Sequence, residues 1–170
     1  ALVIDGNANN RIFTVIEPGA PACPALTGLA DYLGTIRDLT LRNGQRNVAN
    51  TSGGAVFSVK SLTIENVTFE NNRAKNGGAV SFLAQHPGQM LAITNSRFID
   101  NQAREVVGPS TGSHFGGAVA IAENCSGTRT LPVTATIVDS LFDGNVVQPT
   151  TQNARGGAIG SFSDADISVA

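Results

Sequence analysis

The chain has 170 residues, of which 41% are hydrophobic but only 5% aromatic and 14% charged, with 19 Gly, no Trp and a formal charge of −2. That length supports one domain with a sizeable core. The composition excludes several partners: there is no basic footprint for nucleic acid, no polybasic membrane patch, and no apolar run near the roughly 20 residues that span a bilayer.

The chain opens inside an apparent strand, Leu2-Val3-Ile4, followed by the turn Asp5-Gly6. Residues 17–34, with Pro18, Pro21 and Pro24, read as a loop insertion between the first coils. Within it, Leu26 to Leu33 is the one helix-tolerant stretch. A nine-residue pattern then begins and recurs four times: from Ile36 to Gly44, Ile64 to Asn72, Ile93 to Asn101 and Ile137 to Asn145. Its form is I-x-[DN]-x-x-[FL]-x-x-[NG]. Each copy is followed by a Gly-Gly-Ala element: Gly53-Gly54-Ala55, Gly77-Gly78-Ala79, Gly116-Gly117-Ala118 and Gly156-Gly157-Ala158. Self-similarity on this scale marks a stacked repeat. The chain ends in another strand-like run, Asp166 to Ala170, and reads as a single β-helix domain, 1–170, that is a fragment or module of a longer chain.

Short β-rich runs such as Leu62-Thr63-Ile64 and Val80-Ser81-Phe82, separated by Gly, Asn and Asp, are strands with sharp bends. Recurring in phase, they predict an all-β fold: a right-handed parallel β-helix of roughly five to six coils, decorated with loops. In-register stacking sets Ile36, Ile64, Ile93 and Ile137 in one interior column. Leu41, Phe69, Phe98 and Phe142 form a second, and Val56, Val80, Val119 and Ile159 a third. Asp38, Asn66, Asn95 and Asp139 form a polar column in which no two acids are adjacent, and Asn72, Asn101 and Asn145, with Gly44 in the matching place, form another. Both read as side-chain ladders that satisfy turn backbone rather than as catalytic carboxylates. Insertions fall at two corners: 47–52, 73–76, 102–115 and 146–155 at one, 18–34, 84–89 and 122–132 at the other.

The paired GGA[ILV] and FxxN elements, the latter met by Phe69-Glu70-Asn71-Asn72, Phe98-Ile99-Asp100-Asn101 and Phe142-Asp143-Gly144-Asn145, resemble those of chlamydial polymorphic outer membrane protein passengers. They are also similar to bacterial right-handed β-helix surface proteins of pectin-lyase-like shape. The first copy departs, with Leu41 and Gly44. The resemblance covers residues 33–170. It implies an exported bacterial protein, secreted or at the cell surface, with an autotransporter-like passenger fold and a role in adhesion.

Three functions follow as expectations. The first is a non-enzymatic structural or adhesive module whose loops present a binding surface to a host or neighbouring cell, through glycan or protein. The second is a carbohydrate-active or glycan-binding β-helix, such as a polysaccharide lyase or hydrolase. That chemistry needs clustered carboxylates, whereas Asp5, Glu65, Glu70, Asp100, Glu105, Asp143 and Asp164 do not repeat in one column. The third is a fibre subunit that self-associates end to end through open coil edges. Arg104, Glu105, His114 and Phe115 form the only mildly site-like cluster, with His114 expected in an exposed loop. Cys23 and Cys125 read either as a disulfide or as two separate thiols. No cofactor, metal or catalytic residue is predicted.

Overall fold

The computed structural model describes residues 2–16, 32–45, 51–85, 88–104, 113–123, 133–148, 154–161 and 165–170. Among these there are eighteen strands and no helix, and every strand pairing is parallel. The long sheet runs β1 (Leu2–Asp5), β3 (Gly34–Arg42), β5 (Leu62–Glu70), β8 (Met90–Thr94), β13 (Val133–Val138), β18 (Ala165–Val169). Beside it, β9 (Arg97–Ile99) pairs with β5 and β14 (Leu141–Asp143) with β9. A second sheet stacks β2 (Phe13–Val15), β4 (Val56–Ser58), β7 (Val80–Ala84), β12 (Val119–Glu123) and β17 (Ile159–Ser161). In both sheets, strands one repeat apart in sequence are neighbours in space. This is a parallel β-helix, and crossovers between parallel strands are right-handed in nearly all proteins.

The register sets like on like. Ile36 pairs with Ile64, Ile64 with Ile93 and Ile93 with Ile137. Leu41, Phe69, Phe98 and Phe142 stand in one column, and Val56, Val80, Val119 and Ile159 in another. The inner members of these columns are fully buried. Phe69 stacks on Phe98, and Phe98 on Phe142, with ring centroids 4.7 Å apart and planes nearly parallel. That spacing is the rung separation of a β-sheet, so the backbone ladder places the rings in stacking contact without further adjustment.

Two smaller parallel groups lie in what the sequence presents as one corner of insertions. β6 (Arg73–Ala74), β10 (Gln102–Arg104) and β15 (Val146–Gln148) make a short sheet, extended by a bridge from Gln45 to Arg73. β11 (His114–Phe115) pairs with β16 (Ala154–Arg155). The ends of these insertions are thus strands of the coil wall. They went unread because strands of two or three residues are too short to show an alternation. Gly34, the last residue of the expected 17–34 insertion, is the first residue of β3. The helix-tolerant stretch within that insertion lies mostly outside the described residues.

Candidate functional site

The four coils that begin with β3, β5, β8 and β13 each turn at three recurring left-handed bends, and each bend has its own physical cause. The first is the column Asp38, Asn66, Asn95 and Asp139, with φ of 61°, 53°, 47° and 50°. Asn and Asp tolerate this region better than other residues with a Cβ. The side chains point outward and are exposed. One rung carries a side-chain bond, from Asn66 Nδ2 to Asp38 Oδ1 at 2.9 Å.

The residue after this bend decides whether the strand continues. Leu39 and Val67 pair through the backbone, so β3 and β5 run unbroken across it. Ser96 and Ser140 occupy the next two rungs. Ser96 Oγ accepts the amide of Val67, and Ser140 Oγ that of Ser96. Each hydroxyl also donates to the carbonyl two residues back, on Thr94 and Val138. The hydroxyls replace backbone pairing, and coils four and five split into β8 with β9 and β13 with β14. The sequence pattern shows this column only as a change from apolar to Ser.

The second bend lies inside FxxN, where Asn43, Asn71, Asp100 and Gly144 all have positive φ. The closing Asn is different in kind. Asn72 and Asn101 are fully buried. Asn101 Nδ2 donates to Phe69 O at 3.0 Å and to Asn145 Oδ1 at 2.9 Å, and its Oδ1 accepts from Asn72 N at 3.0 Å and Asn72 Nδ2 at 2.9 Å. Asn72 does the same to Leu41 O and Gly44 N, and Asn145 to Phe98 O and Asn101 N. Each carboxamide therefore binds the carbonyl of Phe (or Leu) and the amide of the fourth residue in the preceding coil. The spacing of FxxN is the span that one carboxamide can hold, and Gly44 suffices in the second coil because only its backbone is grasped.

The third bend is Gly-Gly. Gly53, Gly77, Gly116 and Gly156 have φ from 57° to 69°, and a Cβ would lie within 2.1 Å of a carbonyl oxygen three residues on. The second glycine has a separate reason: a Cβ on Gly54, Gly78 or Gly117 would meet the carbonyl of the next coil's second glycine at 2.2–2.3 Å. On Gly157 it would meet nothing within 4 Å. In the first coil the motif is absent. There Arg11 reaches over, its Nε donating to Gly53 O at 2.9 Å and Nη2 to Ser52 O at 2.7 Å, with the guanidinium 4.8 Å from the Phe57 ring centre. Both coil ends were expected to be open edges; at this end a side chain closes the glycine column.

The mildly site-like cluster is only partly assembled. Arg104 ends β10 half-buried, while His114 is fully buried and Phe115 9% exposed on β11. The expectation of an exposed His114 is therefore corrected: a two-residue strand draws it into the wall. Glu105, Cys23 and Cys125 lie outside the described residues. Of the acids, Arg42 separates Asp5 from Glu70, and Ile99 separates Glu70 from Asp143. Among the described residues no two carboxylates stand on neighbouring rungs of one column, and no group of three or more His, Cys, Asp or Glu is arranged to hold a metal ion. Nor, among the described residues, is any helix long and apolar enough to cross a membrane. The charge outside the columns is uneven. Arg42 Nε bonds Asp5 Oδ2 at 2.8 Å on the long sheet, whereas burial and the neighbouring Arg104 lower the pKa of Arg73 on the short sheet.

With the bends in view, the comparison with known proteins is informative. Residues 66–82 match the Chlamydia polymorphic membrane protein (Chlamydia_PMP) repeat. That segment begins at an exposed bend and contains one FxxN clamp, one Gly-Gly turn and the first residues of β7. The match and the all-parallel strands fit a β-helix like that of the polymorphic membrane proteins. No curated protein and no solved structure matches the chain significantly.

Proposed function

We propose that the protein is a non-enzymatic surface module of bacterial origin, in which a self-supporting solenoid presents one variable corner to a glycan or protein on another cell. The observation that carries this reading is the contrast between scaffold and corner. The Ile, Phe, Val, Asn and Gly columns keep register from coil to coil, while the segments joining the short sheet to Gly-Gly range from two residues, Lys75–Asn76, to eleven, 105–115. Variable segments on a rigid scaffold are where binding residues concentrate. The similarity to the polymorphic membrane protein repeat supports surface display. The buried Asn and Gly residues are engaged in holding coils together, which leaves them no part in chemistry.

Beads coated with the protein should adhere to a cell monolayer, and uncoated beads should not. In parallel, incubation with pectic and host polysaccharides should release no reducing ends and no unsaturated uronate. Turnover of any of these would replace the adhesive reading with the enzymatic one.

A second reading, end-to-end self-association, is favoured by Leu2 (64% exposed) on β1 and Val169 (63% exposed) on β18, the outermost strands of the long sheet. Light scattering of the protein should show species larger than one chain; a stable monomer would remove this reading.

A further inference from the structure

We propose that the outward face of the short sheet β6–β10–β15 is a binding surface for an acidic polysaccharide, one carrying carboxylates or sulfates along a linear chain. The inference rests on the adhesive reading above and gives it a site and a ligand class.

The strand alternation defines the face. Ala74 and Ala103 pair with each other and are buried, 1% and 0% exposed, so their neighbours Arg73, Lys75, Gln102 and Arg104 take the other side. Register brings Gln45, Arg73, Gln102 and Val146 into one column. Arg104 pairs with Gln148. The face is a lattice of guanidinium, ammonium and carboxamide groups, with rungs about 4.8 Å apart.

Charge is sorted onto this corner. Segments 47–52, 73–76, 102–115 and 146–155 hold four of the eleven basic residues (Arg73, Lys75, Arg104, Arg155) and one of the thirteen acids, Glu105. Their formal charge is +3, against −2 for the whole chain. On the long sheet, by contrast, basic residues meet acids: Arg37 stands beside Glu65, and Arg42 between Asp5 and Glu70. Arg73 and Arg104 form no ion pair among the described residues. They lie close enough for Arg104 to disfavour the charge on Arg73, after the larger effect of burial. Arg73 Nε and Gln102 Oε1, on paired residues, are both buried without a hydrogen-bond partner. An anion between the arginines would relieve their repulsion and accept from Arg73 Nε.

The chemistry selects among polyanions. Single-stranded nucleic acid needs aromatic stacking platforms, and protein hot spots centre on aromatic anchors in pockets. The described outward residues of this face include no aromatic ring. Guanidinium pairs bidentately with carboxylate and sulfate-like oxygens, and glutamine carboxamides suit sugar hydroxyls.

The test is binding of the protein to immobilised heparin and polygalacturonate, with neutral dextran, anionic phospholipid vesicles and polyglutamate as comparisons. Binding to the two acidic polysaccharides is expected, weakening steeply as salt rises from 50 to 300 mM. The double variant Arg73→Gln/Arg104→Gln should bind at least about tenfold more weakly, with an unchanged unfolding midpoint. Arg37→Gln/Arg97→Gln, on the long sheet, should bind as the parent does. Lys75→Gln serves as a second variant if the double one unfolds, and should weaken binding in the same direction. No binding to either acidic polysaccharide, equal loss in the long-sheet variant, or tighter binding to vesicles or polyglutamate would each overturn the proposal. If cell adhesion persists in Arg73→Gln/Arg104→Gln, the adhesive reading survives and this site does not; if the parent does not adhere, the broader reading fails as well.

Discussion

Two columns of Asn and Asp run up this solenoid, and they do opposite work. The column Asp38, Asn66, Asn95, Asp139 is exposed and is defined by backbone: each residue sits at positive φ. The column Asn72, Asn101, Asn145 has no positive φ and is defined by side chain: each carboxamide holds the two ends of a turn in the coil before it. The same residue type thus supplies conformational tolerance in one place and a two-sided hydrogen-bonding group in the other. Asp can replace Asn in the first column, and does so twice. In the second, a carboxylate would lack the donor that Phe69 O and Asn145 Oδ1 accept from.

The widest separation between the columns should therefore come from the same chemical change made in each. Asn101→Asp buries an uncompensated carboxylate and should cost about 3–5 kcal/mol. Asn95→Asp places an exposed, screened charge and should cost no more than about 0.5 kcal/mol, even beside Asp139. Urea unfolding midpoints of the two variants would measure this; comparable losses would mean that the columns are not distinct.

The glycine pair divides in the same way, between conformation and contact. Gly117→Ala drives a methyl to 2.3 Å from Gly157 O, backbone that cannot yield, and should cost about 3 kcal/mol or more. Gly157→Ala finds nothing within 4 Å and no positive φ, so it should be neutral or stabilise by up to about 1 kcal/mol. Smaller still is the conformational cost at the exposed bend. Asn95→Ala should lose about 1–2 kcal/mol and Asn95→Gly almost none, whereas Asn101→Gly should be as damaging as Asn101→Ala, because what is lost there is the carboxamide.

The columns were legible because stacking puts like residues in phase, so the Ile, Phe, Val and Gly positions can be aligned by eye. What separates the two Asx columns was not, because Asn is favoured both at left-handed φ and in stacked ladders. Pairing partners decide between those uses, and a single coil does not show them. The Ser96–Ser140 hydroxyl ladder was hidden for the same reason, since Ser at a bend reads simply as a turn residue. Arg11 closing the glycine column escaped because it does so from outside the repeat. The short sheet escaped because its strands are too brief to show alternation, yet it carries the candidate binding face.

The first coil offers the smallest test, and one that asks what a carboxylate can do on this scaffold. Asp5 precedes the bend at Asn7 and Ala8. Its carboxylate accepts the amide of Asn7 at 2.8 Å, Asn43 Nδ2 at 3.2 Å and Arg42 Nε at 2.8 Å. The Asn7 amide, then Asn43 and Arg42, hold its pKa below the ordinary aspartate value. A carboxyl whose pKa is lower folded than unfolded favours the folded state above the unfolded pKa, about 4, and loses that contribution as pH falls through the folded value. Amides of the first coil, Gly6 N to Arg42 O and Ala8 N to Asn43 O, should exchange faster in Asp5→Asn than in the parent at pH 7. As pH falls below about 4 and through the lowered folded value the two proteins should converge, while exchange at the buried Asn72 and Asn101 amides stays the same in both. A difference that persisted unchanged into acid would show that the carboxyl group acts by shape rather than by charge, and would place Asp5 with the conformational column instead of with the hydrogen-bonding one.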